Sequence, residues 1–429
     1  MSSPYNTAAL HTLGCKVNFT ETSMLSRKFQ DRGISLVSFD EFADIYVINT
    51  CSVTENANMK CDKLVKSLRR KNPDAYIVVT GCYAQLKSKE LSENKDISLV
   101  VGSDSKMDIA DIIMKDMDDA YIYTSHVDDI HDFKISFSEN ERVRSFIKVQ
   151  DGCDYKCSFC TIPMARGKSR SARVSQVVET VKSLEDKGLN EIVVSGINLG
   201  DFKNESKETF LDLLTKLDQK TEIPRIRLSS IEPNLMSDKI IEFISNSSRY
   251  LPHLHIPLQS GSDRILRLMK RRYSKKLYRD RIESLKKNIP NVCIGVDVIT
   301  GFPSETESDF QETYDFLSEL EVSYLHVFPY SERENTKGIN LDSKVPHEVK
   351  MHRSKKLRQL SDILKSRFIL NNLNLEHSVL IEGIEDEWAF GYSENYIKIL
   401  IKNNNIEIND IVNIKTVETR GFEMIGVAK

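Results

Sequence analysis

A chain of 429 residues, 40% apolar and 29% charged, can bury a substantial core and is too long for one ordinary domain. A formal net charge of −3 excludes wholesale coating of nucleic acid and leaves room only for a local basic surface. No apolar stretch approaches bilayer-spanning length, and the start MSSPYNTAALHTLGC lacks the basic and apolar parts of a secretion signal, so a cytoplasmic protein with no membrane partner is expected. In a reducing compartment the eight cysteines read as ligands or small buried hydrophobes rather than disulfides.

Short apolar runs alternate with amphipathic stretches, the pattern of an α/β protein. In the first series AALHTLG, DIYVINT and AYIVVTG read as buried strands, and each is followed at once by a cysteine and a helix: Cys15, Cys51 and Cys82. The carboxyl ends of the strands of an open parallel sheet share one edge, so the three thiols are expected to meet there. The helix starting after each strand is expected to lower the thiol pKa and favour the thiolate. Three buried cysteines at tight turns are the alternative. Cys61, inside ENANMKCDKLVKSLRR, and Cys293, inside VCIGVDVI, read as packing residues. The stretch TSHVDDIHDFKISFSENER reads as a linker over residues 121–142, between an N-terminal open-sheet domain at 1–120 and a second domain beginning at Val143.

From there SFIKVQ, EIVVSG, RIRLSS, LHIPLQ, CIGVDVIT and YLHVFPY alternate with charged helical segments, which predicts a partial (β/α)6 TIM-like barrel. Chemistry in such barrels gathers at the carboxyl ends of the strands. Strand one runs directly into DGCDYKCSFC, placing Cys153, Cys157 and Cys160 on one loop in a C-x3-C-x2-C spacing. Structural zinc usually takes four ligands, whereas three thiolates on a short loop can hold an iron-sulfur cubane with one iron left open; zinc stays as the minor alternative. A long basic helix from about Lys344 to Asn372 completes this domain, 143–373. After it VLIEGI, AFGYS, YIKILI and DIVNIKTVET predict a small β-barrel over 374–429.

The C-x3-C-x2-C loop opening a barrel is the signature of the radical S-adenosylmethionine enzymes. With the cysteine triad, PMARGKSRS, SGINLGDF, RLSSIEP, HLHIPLQSGSDRILRLMKRRY, DVITGFPSETESDF and FPYSERENTKG, the chain resembles their methylthiotransferase family over nearly its whole length. That resemblance implies two [4Fe-4S] clusters, one on Cys153, Cys157 and Cys160 and one on Cys15, Cys51 and Cys82. It also implies S-adenosyl-L-methionine as methyl and radical source, a sulfur donor, and a reducing protein as electron donor; a monomer is expected. LGCKVN around Cys15 is similar to the branch acting on N6-threonylcarbamoyladenosine, which implies C2 methylthiolation at tRNA position 37. Branches acting on isopentenyladenosine or on a ribosomal protein aspartate share the machinery, and a non-catalytic iron-sulfur RNA-binding protein is the reading from another class.

By the same resemblance Ser195, Gly196, Asn198, Glu232, Gln259, Gly295, Asp297, Gly301 and Glu305 are expected cofactor contacts, with purely structural roles at a barrel rim as the alternative. Ser304 stands where the family often has glycine. Arg166, Lys168, Arg170, Arg173, Lys270, Arg271 and Arg272 are expected to meet tRNA phosphates, against the alternative of solvated helix faces. The position of the C-terminal barrel resembles the TRAM module that binds tRNA, although it carries more acidic than basic residues. Trp388 and Tyr392 are candidate stacking groups there, or core. Of His253 and His255, alternating along one strand, one is expected packed and one solvated.

Overall fold

Along Ile45–Thr50 and Tyr76–Gly81 nearly every side chain is buried, as a strand covered on both faces requires. These strands centre a parallel sheet in the computed structural model, which describes residues 5–52, 55–115, 122–139, 143–403 and 405–428. The expected domain boundaries at residues 120–121 and 142 lie outside the described residues. The chain divides into two compact units: Met1–Glu139 with Phe146–Ala172 and Ser331–Thr336, and Asn140–Ser145 with Arg173–Tyr330 and Lys337–Lys429.

In the first unit the parallel sheet runs in the spatial order Ser35–Leu36, Thr7–Thr12, Ile45–Thr50, Tyr76–Gly81, Leu99–Val101, Ile122–Tyr123. The order reverses between Thr7–Thr12 and Ile45–Thr50, the crevice at which open α/β sheets bind ligands. One apolar layer holds Tyr46, Ile48, Val65, Ile77 and Val79; the other holds Leu25, Phe29, Val47, Val78 and Ile109. The helix Lys16–Asp31 turns an unusual face inward, burying Asn18, Thr20, Glu21, Thr22 and Ser23. The stretch read as a linker contains a short strand, Ser136–Phe137, paired antiparallel with the strand Arg144–Lys148.

In the second unit Glu191–Ser195 pairs with Arg225–Leu228, and Cys293–Thr300 lies between His253–His255 and Tyr324–Pro329, all in parallel register. Helices follow the strands, and their starts are capped as the sequence dictates: Thr209 with Asp212 and Thr306 with Asp309 form reciprocal caps, and Ser237 and Ser274 accept from the first turn. The basic helix spans His347–Leu370, and beyond it five strands close a barrel around Val379, Ile381, Ala389, Ile399, Ile414 and Met424. Its fifth strand, Glu423–Ala428, was not among the predicted runs. The expected α/β class is found: an N-terminal parallel sheet, a central βα part and a C-terminal β-barrel. Cys61 and Cys293 are buried, and burial pushes both thiols up to about 12, consistent with packing roles. His253 is buried and stacked on Tyr396, with His255 only half-buried.

Candidate iron-sulfur centres

All six cysteines expected to hold iron lie in the first unit. Cys15 caps the helix Lys16–Asp31, Cys51 follows the strand Ile45–Thr50, and Cys82 opens the helix Cys82–Leu86. The strands preceding Cys15 and Cys51 are the two between which the sheet order reverses. Gly14 allows the turn at Cys15 to close on Cys51: its φ is +126°, and a Cβ there would lie 2.5 Å from the Cys51 Cβ and 3.1 Å from its sulfur. Cys82 is near enough for its charge to raise the Cys15 thiol. The expected lowering of the thiol pKa at the helix start is not met at Cys15. Cys15 is exposed at the surface, yet desolvation of its thiol outweighs the opposing pull of Arg166 and pushes it up.

The second set leaves the short strand Gln150–Asp151. The Cys153 N–H donates to the Gly167 carbonyl (3.1 Å), the Tyr155 N–H to the Cys153 sulfur (3.4 Å), and the Cys160 N–H to the Cys157 carbonyl (3.2 Å). The two sets are neighbours. Thr161, just after Cys160, donates from its hydroxyl to the carbonyl of Ser52, just after Cys51 (3.3 Å), and the helix Cys82–Leu86 packs against Ile162–Arg166. Among the described residues no three His, Cys, Asp or Glu side chains converge as a single-ion site. A cubane spreads its thiolates over a wider triangle than one ion does, and thiolates are the donors iron-sulfur clusters take.

Beside Cys15 lies a buried charge cluster. Arg166 Nη1 donates to Glu21 Oε1 (2.9 Å) and to Asp151 Oδ1 (3.0 Å), and Nη2 donates to Asn18 Oδ1 (2.5 Å) and Glu21 Oε2 (3.2 Å). Lys106 Nζ reaches Glu21 (2.5 Å), and Lys148 Nζ reaches both Glu21 and Asp151 (3.2 Å each). None of these five charged residues is more than 4% exposed. Burial alone would push the two carboxyls up. The cations overcome it: Arg166, Lys106 and Lys148 hold Glu21 well below the carboxylate range, and Arg166, Lys148 and Arg170 do the same for Asp151. Three buried cations against two anions leave positive charge in surplus beside the triad, an arrangement suited to an anionic group bound on thiolates.

Arg166, expected to meet phosphate, is therefore corrected: a guanidinium shared between buried carboxylates cannot reach RNA. Arg170 is likewise committed, to the carbonyls of Asp132 (3.0 Å) and Lys168 (3.2 Å). Arg271 pairs with Glu232 and lies against the Tyr273 ring, so it too is withdrawn from the phosphate set, and Glu232 is spent as its partner. Lys168, Arg173, Lys270 and Arg272 are exposed.

Of the expected cofactor contacts, Ser195, Gly196 and Asn198 follow the end of their strand, where Ser195 Oγ turns back to the Val193 carbonyl (3.1 Å). Gln259 takes a left-handed backbone (φ +69°) opposite Val298, and Asp297 faces His255 Nε2 at 3.1 Å. Gly295 makes room for a ring, since a Cβ there would fall 2.4 Å from the Tyr324 side chain. Glu305 accepts from the Gly301 N–H (2.7 Å) and from Arg353 (2.7 Å), so its carboxylate is engaged in holding the turn. Ser304 has φ +67°, a backbone that favours glycine, and compensates by donating to the Asp342 carbonyl (2.8 Å). Trp388 and Tyr392 are half-buried; Tyr392 stacks on Tyr396 at 4.8 Å, and Arg144 lies over its ring.

Residues 147–317 match the radical SAM superfamily, and residues 7–102 match a family described as "Uncharacterized protein family UPF0004". The threonylcarbamoyladenosine tRNA methylthiotransferase MtaB of Bacillus subtilis is 37% identical, the match covering 95% of this chain and 93% of that protein. The protein of the same name from Aquifex aeolicus is 38% identical over 91% of this chain and 95% of its own. The chain belongs to the radical S-adenosylmethionine methylthiotransferases. The tRNA-2-methylthio-N(6)-dimethylallyladenosine synthase of Chloroherpeton thalassium is 30% identical, over 98% of this chain and 95% of that one. Among solved structures, the radical S-adenosylmethionine methyltransferase TsrM from Kitasatospora setae shares the fold, with a TM-score of 0.58, 13% identity and coverage of 78% and 77%.

For this methylthiotransferase the cysteines stood out by spacing, but Glu21, Asn18, Lys106, Lys148 and Asp151 did not. One signal was available: Glu21 shares a helical face with Asn18 and Leu25, positions the helix period turns to the core.

Proposed function

We propose that this enzyme places a methylthio group on C2 of N6-threonylcarbamoyladenosine at position 37 of tRNA, giving 2-methylthio-N6-threonylcarbamoyladenosine. The observation that carries the reading is that all six cysteines, Cys15, Cys51, Cys82, Cys153, Cys157 and Cys160, fall in one compact unit, in which Thr161 donates to the Ser52 carbonyl. The names of the relatives from Bacillus subtilis and Aquifex aeolicus support the threonylcarbamoyl branch. When bound, two clusters and S-adenosylmethionine supply sulfur, a methyl group and radical activation of an unreactive C–H bond. The chain holds one cluster on each triplet. Ser195, Gly196, Asn198, Gln259 and Asp297 orient the cofactor so that the radical meets one hydrogen and no other. Lys168, Arg173, Lys270 and Arg272 take tRNA phosphates. Turnover consumes electrons and sulfur, so a reducing protein and a sulfur donor complete the system.

Nucleoside mass spectrometry of tRNA from a strain lacking the gene, with and without complementation, tests this. The 2-methylthio form of threonylcarbamoyladenosine should vanish and return with the wild-type gene. Loss of the methylthio isopentenyl nucleoside instead would move the enzyme to that branch, and no loss of any methylthio nucleoside would refute the activity. Complementation by Cys51→Ala or Cys157→Ala should fail; retained product with Cys51→Ala would refute the sulfur-handling role of the N-terminal triplet.

A further inference from the structure

Arg166 belongs by sequence to the loop that follows Cys160, yet its guanidinium is spent on residues from both cysteine sets. Asn18 and Glu21 lie on the helix that Cys15 caps, and Asp151 lies two residues before Cys153. Asn18 in turn donates to the carbonyls of Leu13 (3.2 Å) and Thr50 (2.8 Å), the residues flanking the turns at Cys15 and Cys51. One planar fork thus fixes the turns of three cysteines, which a single-point ammonium could not do. With Lys106 and Lys148 it also leaves one buried cation beyond what Glu21 and Asp151 neutralise. An unbalanced buried charge is costly and calls for a counter-ion. Three thiolates outweigh the charge of an oxidised cubane core, and an added electron makes the assembly more negative still.

We propose that Arg166 is a positioning residue that locks the N-terminal and radical cysteine loops together, and that its surplus positive charge balances the N-terminal cluster and sets how readily that cluster accepts an electron. This rests on the iron-sulfur reading above. The step concerned is one electron passing from an external reductant into the cluster, with no bond broken and no proton moved.

The test uses the full chain carrying Cys153→Ala, Cys157→Ala and Cys160→Ala, so that only the N-terminal triplet can hold iron. It is reconstituted anaerobically and titrated with dithionite while the reduced cluster is followed by electron paramagnetic resonance. Arg166→Gln removes one positive charge and should shift the reduction potential down. Glu21→Gln enlarges the surplus and should shift it up. Arg166→Lys keeps the charge and should hold the parent potential, while its poorer fork lowers the iron retained after gel filtration. Opposite shifts from the two neutral variants are a signature that loosened packing alone would not give. Shifts of the same sign, no shift, or an equal fall with Arg166→Lys would overturn the inference while leaving the cluster in place. A parent chain that binds less than one cluster would overturn the cluster reading as well. Circular dichroism checks folding, and if Arg166→Gln fails to fold, Glu21→Gln against the parent decides.

Discussion

Glu191 is fully buried, and three arginines converge on it: Arg225 Nε at 2.8 Å, Arg227 Nε at 3.0 Å and Arg144 Nη1 at 3.5 Å. The same arginines reach into the C-terminal barrel, where Arg225 donates to the carbonyls of Ser378 (2.9 Å) and Tyr392 (3.1 Å) and Arg227 to that of Glu394 (3.1 Å). Burial would raise the Glu191 pKa, but Arg227, Arg144 and Arg225 hold it at about 2 against an ordinary 4.5. That difference amounts to ~3 kcal/mol of stability at neutral pH. Glu191→Gln keeps the shape and leaves the three guanidinium groups one anion short, which by the cost of breaking a buried pair is also ~3–5 kcal/mol. The chain's one tryptophan, Trp388, sits in a barrel strand of the same unit, so its fluorescence reports urea unfolding there. A loss of ~3 kcal/mol at a slope of about 1–3 kcal/mol per molar urea lowers the midpoint by roughly 1–3 M. Because the folded pKa lies below the unfolded one, the contribution is whole above the unfolded value. It fades as pH falls toward 2, so the wild-type and variant midpoints should converge in acid. A midpoint shift that is absent at pH 7, or that grows in acid, would refute the reasoning.

Gly295→Ala should destabilise the second unit by ~1–3 kcal/mol, because the added Cβ meets the Tyr324 side chain 2.4 Å away in a packed interior. The same Trp388 transition measures it, and an unchanged midpoint would show that the ring moves aside freely. In native protein at pH 8, iodoacetamide should leave Cys61 and Cys293 unmodified, since burial keeps both thiols protonated up to about 12. Peptide mapping after brief labelling checks this, and alkylation of either would place it in a more open setting.

Period and turn chemistry made most of the fold legible. Strands such as DIYVINT and CIGVDVIT are apolar over a length only a buried strand explains, and each cysteine of the N-terminal triplet followed such a run. Several short strands escaped, Ser35–Leu36, Leu99–Val101 and Ile122–Tyr123 of the N-terminal sheet among them, and two others show the local reasons. Ser136–Phe137 is a two-residue strand in a polar stretch, too short for any alternation to register. EMIGVA, at the end of the chain, carries glycine and a charge and gains its identity only by pairing with Lys398–Lys402 and Ile411–Arg420. The site was legible where spacing carried the chemistry and illegible where partnership did. Arg166, Arg170 and Arg271 look in the sequence like the exposed Lys168 and Arg272, because a charged letter does not show which carboxylate lies across from it. For Glu305 and Gly295 the partners were equally hidden: Arg353 and Tyr324 lie 48 and 29 positions away.

The loop Phe146–Ala172 folds with the N-terminal sheet although its first strand belongs by sequence to the central domain. Recombination that exchanged domains at the sequence boundary near residue 143 would therefore separate Arg166 and Lys148 from Asn18 and Glu21, leaving Glu21 with Lys106 alone and Asp151 with both other cations. Descent is constrained accordingly: the two halves of this scaffold must change together, and grafting either onto a foreign partner requires carrying across the segment that bears the other's counter-charges.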